Sequence, residues 1–292
     1  MLKNGFIKNI IWGNKNRLII TYSLFSLEMA AALLKPYFLG EAVNHLLKDS
    51  YTMLIVFLGV HLVWLIVGTL RLRYDTRTYT SIYNHIITHY LQRKRKEQNV
   101  SKLSALSTLT REFTDFLEYD LIFILEAVYN IIGSLIFIYF FDKWVIVLCI
   151  VILIPVLYIS KKYGHKMQLL TQYKNDELEK QVDIIGTYNQ PQINRHYRLL
   201  RKWQIKISDQ QAFNFCTMEL LVMVMLGASL ILSTHYNYQV LNAGEIISFY
   251  FYILKFTSGL DTLPYITEKY AMLNDITNRI YTYENEDALL NT

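Results

Sequence analysis

The sequence predicts an all-α membrane protein of six long transmembrane helices with cytoplasmic extensions. Three observations carry this. The 292 residues are 53% hydrophobic and 18% charged, with a mean hydropathy of +0.20. Six apolar stretches, at about residues 18–39, 51–70, 121–141, 144–160, 213–233 and 245–265, each approach the ~17–25 residues that a crossing helix requires. Only 11 Gly and 4 Pro are present, too few for the many turns of a soluble α/β enzyme. Backbone in lipid must satisfy its own hydrogen bonds, so runs of this length are read as helices.

The first run follows a short N-terminal segment, residues 1–16, and is too long for the apolar core of a signal peptide. It lacks a small-residue cleavage site, which predicts a retained helix. Charge then orients the spans. Segments 71–111 and 161–206 contain nine and ten Lys/Arg, whereas the loops around Lys48, around Lys143 and across 234–244 contain one, one and none. Basic residues concentrate on the cytoplasmic side, which predicts that both termini and both long segments lie there. The net charge of +5 is thereby explained by topology, without nucleic acid.

Spans 1–2, 3–4 and 5–6 are joined by tight outer turns, while extensions 71–120 and 161–212 separate the other spans. The extensions hold few Gly or Pro and are rich in Arg, Lys, Gln, Glu, Leu and Tyr, which favour helix. Spans 2 to 5 therefore continue into the cytoplasm. Span 2 would run from Tyr51 to Gln98, roughly 70 Å at 1.5 Å per residue, against a bilayer core of ~30 Å. Short turns near Asn99–Ser107 and Gly186–Asn194 would close the extensions, the first rich in Ser and Asn, the second holding Gly, Asn and Pro. Residues 17–280 are read as one domain and 281–292 as an acidic tail.

Local text supports a family. "LLKPYFLGEAVNHLL" at 33–47 has a Pro, then a Gly and a short amphipathic stretch. "LSALSTLTREFTDFLEYDL" at 103–121 follows the first tip, and "AGEIISFYFYILKFTSGLDTLPYITEKYAMLNDITNRI" spans 243–280. Together they resemble the transmembrane domain of six-helix, domain-swapped ABC exporters, over essentially the whole chain. The second tip, "IIGTYNQPQINRHYRLL", departs from that family's usual text. The resemblance implies a homodimer in which helices four and five reach across to the partner, and alternating access around a central cavity.

Such exporters carry a nucleotide-binding domain after the sixth helix. Here the sequence stops at Thr292, and no Gly begins a GxxxxGK[ST] loop able to cradle phosphates. The tail "YTYENEDALLNT" reads as a natural terminus, a shortened piece of a longer chain being the other reading. Phosphoryl transfer needs positioned amides, Lys and Mg²⁺, so no cofactor is expected in this chain. ATP and magnesium would enter only through a partner ATPase gripping the tips, with Asn99, Lys102, Leu103, Ser104, Tyr188, Gln190 and Arg195 as candidate contacts.

Ionisable residues inside spans cost about 2.5–3.5 kcal/mol at the bilayer centre, so they usually face a bundle interior or a watery cavity. The candidates are Glu28, Lys35, Glu126, Glu219, Lys255 and Asp261. Glu28 and Lys35 are seven residues apart and share one helical face. They form either a polar vestibule with proton-exchanging carboxylates or ion-paired packing residues. Tyr250 and Tyr252 in the sixth span suit amphipathic cargo such as peptides or lipids, and equally suit helix packing or interface belts.

Other motifs are weaker. His85 and His89 share a face, but neither HExxH nor a flanking Cys accompanies them, and a solvated face fits better than a zinc site. Arg93–Lys96 could meet an acidic partner or lipid headgroups. Cys149 and Cys216 fit apolar packing. No nucleophile–base pair is discernible, so an enzyme is not expected. The reading is a permease subunit in a bacterial cytoplasmic membrane, driven by a separately encoded ATPase. A proton-coupled carrier, for which peptide-uptake permeases without an ATPase are the precedent, and a non-transporting scaffold stay open beside it.

Overall fold

A computed structural model describes residues 12–93, 100–236 and 242–290. These residues form helices and short turns, with no strand among them. Helix α1 is Lys15–Leu46 and α2 is Thr52–Arg93. Helix α3, Val100–Asp115, passes through one π-helical turn, Phe116–Asp120, into α4, Leu121–Phe141. Helix α5 is Lys143–Glu179, α6 is Gln181–Gly186, α7 is Gln190–Tyr236 and α8 is Ala243–Leu290.

Five stretches are long and apolar enough to cross a membrane: Lys15–Leu46, Thr52–Thr88, Ser107–Phe141, Lys143–Gly186 and Gln190–Ser229. They carry the first five expected spans. The sixth lies on α8, which is 48 residues long but falls outside those five. Its tyrosines, Lys255 and Asp261 dilute its apolarity. Of the five stretches, the one on α2 is the least covered: Ile55, Leu58, Leu62, Leu65, Ile66 and Leu70 are all exposed. Side chains of that kind in a continuous stretch face lipid; they would be untenable against water.

The described parts of the long basic segments are helical, and helix occupies much of the turns expected at Asn99–Ser107 and Gly186–Asn194. Helix begins at Val100, so Lys102, Leu103 and Ser104 lie in the first turns of α3 and not in a loop. Ser costs a helix only a few tenths of a kcal/mol, and further along α3 the apolar Leu109 and Phe113 pack with Ile276. Asn99, Lys94, Arg95 and Lys96 lie outside the described residues, as do the side chains of residues 101–106.

The second closure is confined to Thr187–Asn189. Gln190 and Arg195 belong to α7. Pro191 does not break that helix because it sits in the first turn, where the missing N–H has no helical acceptor to lose. Asn189 caps it, its Oδ1 accepting from the Gln192 amide at 3.3 Å.

Where the sequence reading takes 17–280 as one domain, the described helices divide into two compact units. The first comprises α1 to α4 with α8 up to Gly259 and again from Met272; the second comprises α5 to α7 with Leu260–Ala271 of α8.

In the first unit, α1 and α2 form an antiparallel hairpin. Asp49, at φ 57°, makes its turn in the left-handed region that Asp tolerates better than most residues. Residues equidistant from that turn face one another: Arg17 bonds Ser81, and Leu18 packs with Tyr79, Ile82 and Ile86. Helix α8 then presses onto α1 and α4, and α4 onto α1, through small residues. A Cβ at Gly40 would collide with Gly244 and Ser248, one at Gly133 with Leu33, and one at Gly259 with Ile131. In lipid, helices associate largely through such close backbone approach.

Pro36 lies inside α1 without ending it. Neighbouring backbone carbonyls find new donors: Tyr252 Oη donates to Leu33 O at 2.9 Å, and Ser248 Oγ to Pro36 O at 2.8 Å. In the second unit α5 packs along α7 through Tyr163, Met167 and Ile207. Tyr173 stacks on Trp203 with centroids 4.9 Å apart.

Substituting Gly40 by Ala is expected to destabilise the protein by about 1–3 kcal/mol through overpacking. Gly59→Ala, where nothing lies within 4 Å of the new carbon, should be neutral or slightly stabilising. Thermal unfolding in detergent measures both; equal effects would mean that the α1–α8 approach is looser than described.

Candidate functional site

The polar residues of the first unit converge on the inward face of α1. The hairpin register sets Glu28 against Arg71, whose Nε donates to the Glu28 carboxylate. Arg71 Nη1 also donates to Asp75 Oδ2 at 2.9 Å, one turn along α2. The Glu28 and Arg71 side chains are each 13% exposed and that of Asp75 is 5% exposed. Phe25 lies beneath the guanidinium, 5.5 Å from its ring centre. Gly68 makes the approach possible, since a Cβ there would stand 2.9 Å from Glu28 Oε1.

The same register places Lys35 over Trp64, with Nζ 3.3 Å from the ring centroid. Cation–π contact holds this half-buried ammonium without a carboxylate partner. Lys35 also lies within electrostatic reach of Glu28 and of Lys255 on α8. Lys255 in turn feels Glu126 on α4. Three carboxylates (Glu28, Asp75, Glu126) thus balance three cations (Lys35, Arg71, Lys255) in one apolar body, which removes most of the cost of their burial.

Glu28 and Lys35 thus both meet α2. Tyr252 is fully buried; besides its bond to Leu33 it stacks on Phe137 at 4.6 Å. It ties helices together and offers no surface to a passing substrate. Tyr250 is 40% exposed. Glu219 and Asp261 belong to the second unit, both exposed and close enough to interact with one another. At the second tip Tyr188 is 89% exposed.

Cys149 is buried and fits the packing role, whereas Cys216 is exposed. His85 is exposed on α2, the side chain of His89 lies outside the described residues, and no group of three potential metal ligands occurs among them.

Sequence reading missed Arg71, Asp75 and Trp64 as members of the site. Arg71 and Asp75 fall just past the second apolar run and read as the start of a solvated extension. A signal was available: in a helical hairpin turning at Asp49, Glu28 and Arg71 are nearly equidistant from the turn, as are Lys35 and Trp64.

The family described as the ABC transporter transmembrane region matches residues 7–243. No curated protein matches the chain.

Removing one member of the Glu28–Arg71 pair leaves a charge stranded in apolar surroundings, at a cost of about 3–5 kcal/mol when burial is complete. Arg71→Met should destabilise more than Glu28→Gln, because it strands two carboxylates. The double variant should cost less than the two singles summed, as measured by unfolding in detergent. Additive costs would show that the pair is not coupled.

Proposed function

The chain belongs to the ABC transporter transmembrane region family, and from that membership we propose that it is the permease subunit of an exporter-like transporter. It is an integral membrane protein with a transporter-like role. In this reading it moves an amphipathic substrate, a peptide, lipid or hydrophobic small molecule, across the bacterial cytoplasmic membrane. A nucleotide-binding protein on a separate chain drives it, and both termini face the cytoplasm. The working form is a homodimer in which α5 and α7 reach to the partner. That α5 and α7 pair with each other in the second unit supports this arrangement.

The observation that carries the reading is the second tip. Two rods, 37 and 47 residues long, end in a knob that shows Val182 at 80%, Ile185 at 41% and Tyr188 at 89% exposure. Apolar side chains at the end of a solvated hairpin favour a protein partner over water. Tyr188 also adopts φ 54°, a left-handed conformation that costs a side-chain-bearing residue about 1–2 kcal/mol. Glycine would avoid that cost. A strained, fully displayed tyrosine is what a docking contact would retain.

A carrier driven by an ion gradient is the second reading. Its leading carboxylate, Glu28, is held by Arg71, which makes it a poor proton carrier. What favours this reading is the burial of two further carboxylates, Asp75 and Glu118, whose guanidinium partners are shared with other acids.

Tyr188→Gly separates docking from folding. The variant is expected to be as stable as the parent or about 1 kcal/mol more stable, yet to lose association with a co-expressed nucleotide-binding subunit. Ile185→Asp should also lose it. ATP-driven substrate flux in proteoliposomes should fall in parallel. Unchanged complex formation and flux in both variants would exclude this tip as the drive contact.

A further inference from the structure

We propose that Asp75, Tyr79 and Thr21 bind one sodium ion, in a pocket completed by Tyr22 and by Glu118 from the π turn. These residues lie in the first unit, where α1, α2 and the π turn meet, with Asp75 one helical turn from Arg71.

Three oxygen atoms there are buried and have no hydrogen-bond partner: Thr21 Oγ1, Asp75 Oδ1 and the Tyr79 hydroxyl. Their residues are 0%, 3% and 0% exposed. Buried polar groups are nearly always paired, so three orphans on two adjoining helices require an explanation. The groups stand close together. Thr21 approaches Asp75, and Tyr22 approaches Tyr79, though none reaches ordinary hydrogen-bond geometry. Asp75 and Glu118 both act electrostatically on Tyr79.

The two oxygens of Asp75 have different tasks. Oδ2 is held by Arg71 at 2.9 Å, which leaves Oδ1 turned toward the hydroxyls. The cations nearest these groups are shared: Arg71 serves both Glu28 and Asp75, and Arg111 pairs with Asp115 at 2.9 Å while also facing Glu118. Arg17, the next cation along α1, is exposed and bonds Ser81 instead.

Hydroxyl and carboxylate oxygens are hard donors and suit hard cations. Magnesium keeps several waters and prefers octahedral geometry, while calcium takes six to eight oxygens. A set of one free carboxylate oxygen and two or three hydroxyls, with Arg71 opposing further positive charge, fits a single monovalent ion. The π turn brings Glu118 to this place; such turns are frequent at functional sites.

The proposal rests on the first unit alone, so its failure would leave the docking of an ATPase untouched. The test uses the purified full-length protein in detergent. Binding of radioactive sodium is measured by scintillation proximity. Thermal unfolding is followed in sodium chloride against choline chloride at equal ionic strength. Saturable binding of one ion per chain is expected, with stabilisation by sodium alone.

Tyr79→Phe and Thr21→Val keep the shape of the core and the Arg71 contacts, and each should weaken sodium binding about tenfold or more. Asp75→Asn should abolish it, and Glu126→Gln should leave it unchanged. If Asp75→Asn does not fold, the two isosteric variants decide. Absence of saturable binding, stabilisation shared with choline, stabilisation by acid in the absence of sodium, or unchanged binding in both isosteric variants would each overturn the proposal. Stabilisation by acid would identify a proton site instead.

Discussion

Charge compensation within apolar helices is the constraint on which the first unit depends. Glu28 lies in the middle of α1, where an unpaired carboxylate would be costly to place in lipid. Arg71 meets it because the Asp49 turn fixes the hairpin register, and Gly68 lets the two helices come close enough. Once that pair is formed, the rotation of α1 about its axis is decided. Lys35 then falls on Trp64, and the opposite edge of α1 is left to carry Leu33, Pro36 and Gly40 to α8.

The second edge works by size and not by charge. Gly40 and Gly244 bring two backbones into contact, and the hydroxyls of Tyr252 and Ser248 serve carbonyls beside the proline. A helix broken by Pro36 in isolation is thereby kept continuous by its neighbour. The polar and tyrosine-rich character that lowers the apolarity of α8 comes from these tasks. A helix contacting other helices need not satisfy lipid on every side, which accounts for the contrast with the exposed, apolar first half of α2.

The two long rods join the membrane-embedded part to the world outside it. In the second unit α5 and α7 are held together by a ladder of apolar and aromatic contacts, with the buried His196 bonded to Glu177 at 2.8 Å nearer the tip. Stiffness along the rods matters for any device that transmits force over their length, and a strained tyrosine at their end matters only if something grips it. In the proposed reading this connection is the route by which an ATPase on a separate chain would move the membrane helices.

Most of the secondary structure was legible in the sequence, because lipid allows only self-satisfied helices and because the basic extensions retain helix-forming composition. Periodicity and charge therefore located five crossing helices and both extensions. The second closure was drawn too wide, since Pro191 reads as a breaker while its position in the first helical turn makes it harmless. Which charges meet was decided only by tertiary structure. Arg71 and Asp75 look solvated in a linear reading; the close approach of two helices encloses them, and enclosure is a property of packing that no single helix records. The orphaned oxygens of Thr21, Asp75 and Tyr79 belong to the same class. Each residue is ordinary in sequence, and only their common burial gives them chemistry.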